Sequence, residues 1–186
     1  MNHTTHDRIL WVTRTAVLVA LLVVLQYVTA GTSAFAGQYI TGSCVNAVLA
    51  IAVLAAGLWS GVTVAIISPF CAKLFGIGPA LVQIIPAISV GNLVFVLILY
   101  LLVSRKEASP LWQRFLGLVV AAALKFATLY VLVNKVIVPM LASGLKPKQI
   151  AMFGVMFSYP QMITALIGGT IALLIAPTIV KAIRKN

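Results

Sequence analysis

The sequence predicts an all-α integral membrane protein, with six transmembrane helices in a compact bundle. Three observations carry the prediction. Hydrophobic residues make up 62% of the 186 positions and charged residues only 8%, against roughly 25% charged in a soluble domain. The apolar residues fall into stretches of about 20, the length at which a helix rising ~1.5 Å per residue crosses a ~30 Å hydrocarbon core. The basic residues behind the net charge of +11 cluster at the ends of those stretches, where lysine and arginine set topology. The excess positive charge therefore reads as membrane orientation, and no nucleic acid partner is expected. The chain is read as a single domain over residues 1–186, facing the lipid bilayer, with no room for a sizeable soluble domain.

Each element follows in order. Residues 1–13 form a polar lead; His3, His6 and Asp7 lie close in sequence, but a solvated terminus frays and no metal site is expected there. Residues 11–30 form the first helix. Arg8 and Arg14, the apolar run from Ala16, and Ala34-Phe35-Ala36 together imitate a secretory leader and its cleavage site. The run is long for a leader, so an uncleaved helix is expected. Residues 31–37 are small and polar and make a loop. The second helix covers residues 38–57, a turn follows over 57–61, and the third helix ends near Phe75. Gly76-Ile77-Gly78-Pro79 breaks the chain, since glycine and proline in succession stop a helix. The fourth helix covers 80–103 with Pro86 inside it, and a charged loop with Arg105, Lys106 and Glu107 follows. The fifth covers 111–139. A loop over 141–150 leads to a sixth helix over 151–183, interrupted by Pro160 and Pro177.

Six passes place both termini on one side. Arg8, Arg14, Arg105, Arg114, Lys181, Arg184 and Lys185 fall on that side with Lys106, while Lys146 and Lys148 fall on the other, with Lys73 a further candidate there. The positive-inside rule makes both termini cytoplasmic. Cys44 and Cys71 lie in apolar segments outside any CxxC pattern and read as small packing residues.

The fifth stretch carries the sharpest signal. It is nearly all apolar, yet holds Lys125 near its middle and Asn134-Lys135 near its end. The only acidic residues of the chain are Asp7 and Glu107, both outside the apolar segments. An ammonium at membrane depth costs at least ~2.5 kcal/mol on insertion scales, and no carboxylate of this chain is placed to offset it. Backbone carbonyls, water, a shifted protonation equilibrium or a bound anion remain. Snorkelling within the bundle is the bland alternative.

Other polar residues converge on the same depth. Gln38, Gly42 and Asn46 are four apart and share one face of the second helix. Ser89, Gly91 and Asn92 follow Pro86, which in a helix interior frees a carbonyl one turn earlier. Gln161, Thr164 and Gly168 descend the sixth helix. At 100° per residue Asn134 lies nearly opposite Lys125, so both share a pocket only if the helix is distorted. Buried amides need partners in lipid, so these faces look inward. They predict a cavity open to the outside, lined by Gln38, Asn46, Asn92, Lys125, Asn134 and Gln161; helix-to-helix glue is the alternative for each residue. HExxH, GxSxG and GxxxxGK[ST] are all absent, so no catalytic residue, metal or cofactor is expected and the chain is not read as an enzyme. A carboxylate proton relay within the membrane is absent as well.

On the first helix Ala16 and Ala20 are four apart, a spacing that lets another helix approach closely. With six short-looped helices and a polar cavity, this resembles the substrate-binding S component of energy-coupling factor (ECF) transporters. The resemblance runs over the whole chain. The stretches Gln38-Tyr39-Ile40-Thr41-Gly42-Ser43-Cys44-Val45-Asn46, Gly76-Ile77-Gly78-Pro79 and Pro86-Ala87-Ile88-Ser89-Val90-Gly91-Asn92 are similar to lactic-acid-bacterial members. The resemblance implies a vitamin substrate bound near the outer face under the first loop. It also implies docking through Ala16 and Ala20 on a transmembrane scaffold subunit, and two ABC-type ATPases that drive uptake in a bacterial cell membrane. Among such substrates, Lys125 and Lys73 favour an anion, and pantothenate fits, with one carboxylate and several hydroxyl and amide groups. A self-sufficient secondary transporter or channel, or a membrane scaffold without ligand, are the competing classes.

Overall fold

The computed structural model describes residues 3–29, 34–76, 78–79, 81–106 and 109–184, which form helices and no strand. Parts of two predicted loops, residues 31–33 and Ile77, lie outside this range, as do Glu107 and Lys185. The helices are α1 (His3–Thr29), α2 (Ala34–Ala55), α3 (Leu58–Leu74), α4 (Ile84–Leu102), α5 (Leu111–Leu129), α6 (Val138–Leu141), α7 (Pro147–Met156) and α8 (Tyr159–Arg184). Five spans are long and apolar enough to cross a membrane. The sixth pass, α3, has 17 residues, a length of ~25 Å.

The chain departs from the sequence expectation at its prolines. The predicted sixth helix is two helices. It breaks at Phe157, and Pro160 falls in the first turn of α8, where a missing N–H removes no helical bond. Pro147 opens α7 in the same manner, and Gln149 Oε1 accepts the Lys146 N–H at 3.0 Å to cap it. Pro86 is the third residue of α4, not an interior proline. The carbonyl expected to be free, that of Val82, accepts the Ile85 N–H at 3.0 Å. The turn before α3 shrinks to Ala56-Gly57, and Gly57 has φ 94, a conformation that glycine adopts without steric cost.

The fifth stretch runs unbroken from α5 through a π-helical segment, Tyr130–Ile137, into α6. The Val138 N–H reaches the Val133 carbonyl, five residues back. A wider turn of this kind changes the angular register, so 100° per residue no longer holds beyond Leu129.

From α1 to α5 each helix packs against the next, and α2 lies at the centre, touching α1, α3, α4 and α8. Its residues Val48, Leu49, Ala52 and Val53 are buried with Val64, Phe95, Leu99, Leu118 and Ala165 in the main apolar cluster. A second cluster near the start of α4 joins Ile84, Ala87, Leu129, Val133, Phe153 and Phe157. Lipid tails are as apolar as leucine, so close van der Waals packing and polar contacts between helices must supply the association. Small residues let α8 meet α2. A Cβ on Gly168 would stand 2.3 Å from the Ser43 carbonyl oxygen and 2.8 Å from the Asn46 Cβ, and one on Gly42 would stand 3.0 Å from Thr164. Thr15 and Ser60 hydroxyls meet at 2.8 Å between α1 and α3.

This close approach generates a prediction. Gly168→Ala pushes α8 away from rigid α2 backbone and should destabilise the protein by about 1–3 kcal/mol, read as a lower midpoint in fluorescence-detected thermal unfolding in detergent. Gly154→Ala, in α7 with nothing within 4 Å of its added Cβ, should melt at or above the wild-type midpoint.

Candidate functional site

A cavity of about 670 Å³ lies at the end of the bundle where α1 and α3 finish and α2, α4 and α8 begin. Its volume is in the range of small-molecule sites. Gln38, Thr41, Gly42 and Asn46 of α2 line one wall, Asn92 of α4 and Lys125 of α5 another, and Gln161 and Thr164 of α8 a third. Met152, Phe153, Val155 and Met156 of α7, with Phe157, supply an apolar side. Among the described residues Lys125 is the one charged member of this lining.

Lys125 is buried, at 3% exposure, and its ammonium is held by neutral groups. It donates to Asn46 Oδ1 at 2.5 Å and to Asn92 Oδ1 at 2.7 Å, and lies 5.3 Å from the centre of the Phe95 ring. Both asparagines are held in turn. Asn46 Nδ2 donates to the Gly42 carbonyl at 2.9 Å and to Thr164 Oγ1 at 3.2 Å, and Asn92 Nδ2 donates to Ser68 Oγ at 3.3 Å. One polar network thus joins α5, α2, α8, α4 and α3. An ammonium has three N–H donors, so two are engaged here and one is left for the cavity.

Of the six side chains predicted to gather in a pocket, the structure brings together Gln38, Asn46, Asn92, Lys125 and Gln161. Asn134 is placed elsewhere. Its Nδ2 donates to the Gly154 and Phe157 carbonyls at 3.3 Å each, which ties the π-helical segment to the end of α7. Asn46 and Asn92 line the cavity and at the same time orient Lys125 through their amide oxygens. Gln38 Nε2 and Gln161 Nε2 both donate to the Met156 carbonyl, at 2.7 and 3.0 Å. Lys73 lies at the end of α3 and donates to the Pro79 carbonyl at 3.3 Å. Lys135 is exposed, 5.5 Å from the centre of the Tyr130 ring.

Sequence reasoning missed the contribution of α7, hidden by the assumption of one long sixth helix. It also missed Gln26 of α1, which lines the cavity and is 4% exposed. The signal was present, since Gln26 is the one amide in an apolar first helix and must find a polar environment. Ala16 and Ala20 lie on the exposed side of α1.

The fold and this cavity define a multi-pass helical membrane protein with a small-molecule-sized polar site at one end of its bundle. Comparison with protein families matches residues 11–180 to the family described as ECF transporter, substrate-specific component. The chain belongs to that family, whose members are the substrate-binding parts of transport systems that work with a membrane scaffold and ATPase module. Neither the curated proteins nor the solved structures include a match.

The shared network generates a prediction. Lys125→Met and Asn46→Leu should each lower the thermal midpoint, because each leaves buried polar partners unmet at about 1–3 kcal/mol. The double variant should lose less than the sum, with a coupling of about 0.5–3 kcal/mol. Strict additivity would mean the two side chains do not share a bond.

Proposed function

We propose that this chain is the substrate-specific subunit of an ATP-driven vitamin uptake system, and that the cavity takes an anionic vitamin such as pantothenate. The carrying observation is Lys125: a buried ammonium beside a cavity with no carboxylate in its lining among the described residues. Two amide oxygens solvate it but leave its charge uncompensated. A carboxylate in the cavity would reach the remaining N–H and supply the missing charge, in a place where low dielectric strengthens the attraction. The apolar side from α7 suits the carbon skeleton of such a ligand, and the glutamines suit its hydroxyl and amide groups.

The basic residues near both termini support a cytoplasmic location for the termini in a bacterial membrane, which turns the cavity end outward. The exposed side of α1 supports docking on a transmembrane scaffold. Only 17% of its apolar window is buried, against 39–50% for the other four spans, and Ala16 and Ala20 lie on its outer face. Two ABC-type ATPases would then supply the energy that this chain has no motif to capture.

Two outcomes follow. Titration calorimetry should show Lys125→Met binding pantothenate about ten- to a hundredfold more weakly, the loss of one charge-assisted hydrogen bond. Equal affinity would remove Lys125 from the site, and tight binding of a neutral or cationic vitamin with none of pantothenate would discard the anion. Ala16→Leu or Ala20→Leu should abolish co-purification with the scaffold and ATPases while leaving pantothenate affinity unchanged. Normal assembly would reduce the alanines to ordinary lipid-facing residues.

A further inference from the structure

Gln26 is the one side chain in the cavity lining with a buried amide oxygen, Oε1, that has no hydrogen-bond partner among the described residues. A buried amide left unpaired is costly in any protein and more so within a bilayer. The neighbouring polar groups show the contrast: Asn46, Asn92 and Thr164 are all engaged with the protein. Evolutionary neutrality toward stability does not require such a defect, because leucine or methionine would fill the same volume in an otherwise apolar helix.

The depth of Gln26 follows from the helix hairpin. Thr41 Oγ1 donates to Thr29 Oγ1 at 2.7 Å, which sets these two residues level on α1 and α2. At ~1.5 Å per residue, Gln26 lies roughly 4.5 Å below that level and Asn46 roughly 7.5 Å below it. Gln26 therefore stands about 3 Å nearer the cavity end of the bundle than the asparagine that holds Lys125. Two further amide oxygens lie toward the same end. Gln38 and Gln161 are each tethered through Nε2 to the Met156 carbonyl, and this orientation leaves both Oε1 atoms as acceptors. The lining is polarised: a cationic donor at depth, and amide oxygens above it.

We propose that Gln26 is a substrate-binding residue that accepts a hydrogen bond from an O–H or N–H of the ligand, so that the ligand lies with its anionic group at Lys125 and its donor groups toward Gln26, Gln38 and Gln161. This rests on the reading of the cavity as the substrate site and adds the class and direction of the substrate: an acid bearing hydroxyl or amide donors at a few ångströms from its carboxylate. A simple fatty acid or an inorganic anion would satisfy Lys125 and leave Gln26 unmet.

The test uses the full chain in detergent, with pantothenate and its dehydroxylated and N-methylated analogues as probes in calorimetry. Gln26→Met should bind pantothenate about tenfold more weakly, while its ligand-free form melts at or above the wild-type midpoint. Removing the matching donor from the probe should cost the wild type a similar factor and cost Gln26→Met nothing, which a purely structural role would not produce. Equal affinity of the two proteins for pantothenate, or equal losses across all analogues, would overturn the proposal while leaving Lys125 as the anion site. If wild type does not bind pantothenate, the choice of vitamin fails, and thermal-shift screening of both proteins against a vitamin panel decides Gln26 alone. A vitamin that stabilises wild type more than Gln26→Met upholds it, and equal stabilisation, or none of either protein, overturns it.

Discussion

The burial of one ammonium organises this membrane protein. Lys125 on α5 could not stay at bilayer depth without acceptors, and the two it has come from different helices, Asn46 on α2 and Asn92 on α4. Each asparagine can present its carbonyl oxygen only if its Nδ2 is held, and the holders are the Gly42 carbonyl, Thr164 and Ser68. The requirement to solvate one charge thus propagates through five helices. Individual bonds of this type contribute modestly in membranes, ~0.6 kcal/mol on average. Their joint effect is positional, because shifting α2, α4 or α5 along its axis breaks contacts to two other helices.

The network needs helices closer than bulky side chains allow. Gly168 lies against the Ser43 carbonyl, Gly42 against Thr164, and Gly91 against Leu129, where an added Cβ would stand 2.6 Å from Cγ. The first two bring α2 and α8 to the separation at which Asn46 reaches Thr164, and the third does the same for α4 and α5 where Asn92 reaches Lys125. Backbone proximity and polar satisfaction are therefore one constraint seen twice. The apolar clusters on either side fill the remaining space, the larger around α2 and the smaller around Phe153 and Phe157.

Apolar length and charge placement made the membrane class and most of the helices legible in the sequence. Periodicity likewise made legible which faces of α2, α4 and α8 turn inward, since an amide in lipid has nowhere else to go. The misses share a physical cause. Pro86 read as an interior proline because the start of the fourth helix was placed too early, and Pro160 because α7 and α8 were taken as one helix; a proline has opposite meanings in a first turn and in an interior. Asn134 read as opposite Lys125 on an ideal helix, but the π-helical segment breaks that arithmetic, and only tertiary contacts with the end of α7 fix its direction. The pairing of Asn46 and Asn92 with Lys125 was not legible, because it joins residues 79 and 33 positions apart in the chain.

What separates structural polarity from functional polarity here is whether the protein completes its own hydrogen bonds. Asn46, Asn92 and Thr164 each bond to other side chains and so hold the shape of the cavity they line. Lys125 keeps one of its three donors and its whole charge unmet, and Gln26 keeps its Oε1 without a partner among the described residues. The position of Gln26 adds a mechanical consequence. At 100° per residue it lies about 120° around α1 from Ala20, so α1 turns its one amide inward and its small exposed residues outward. A ligand that bonds Gln26 bears directly on the helix that is the least buried of the five long spans. Occupancy of the cavity and the outward face of α1 are then separated by the thickness of a single helix, with no intervening layer to absorb a shift.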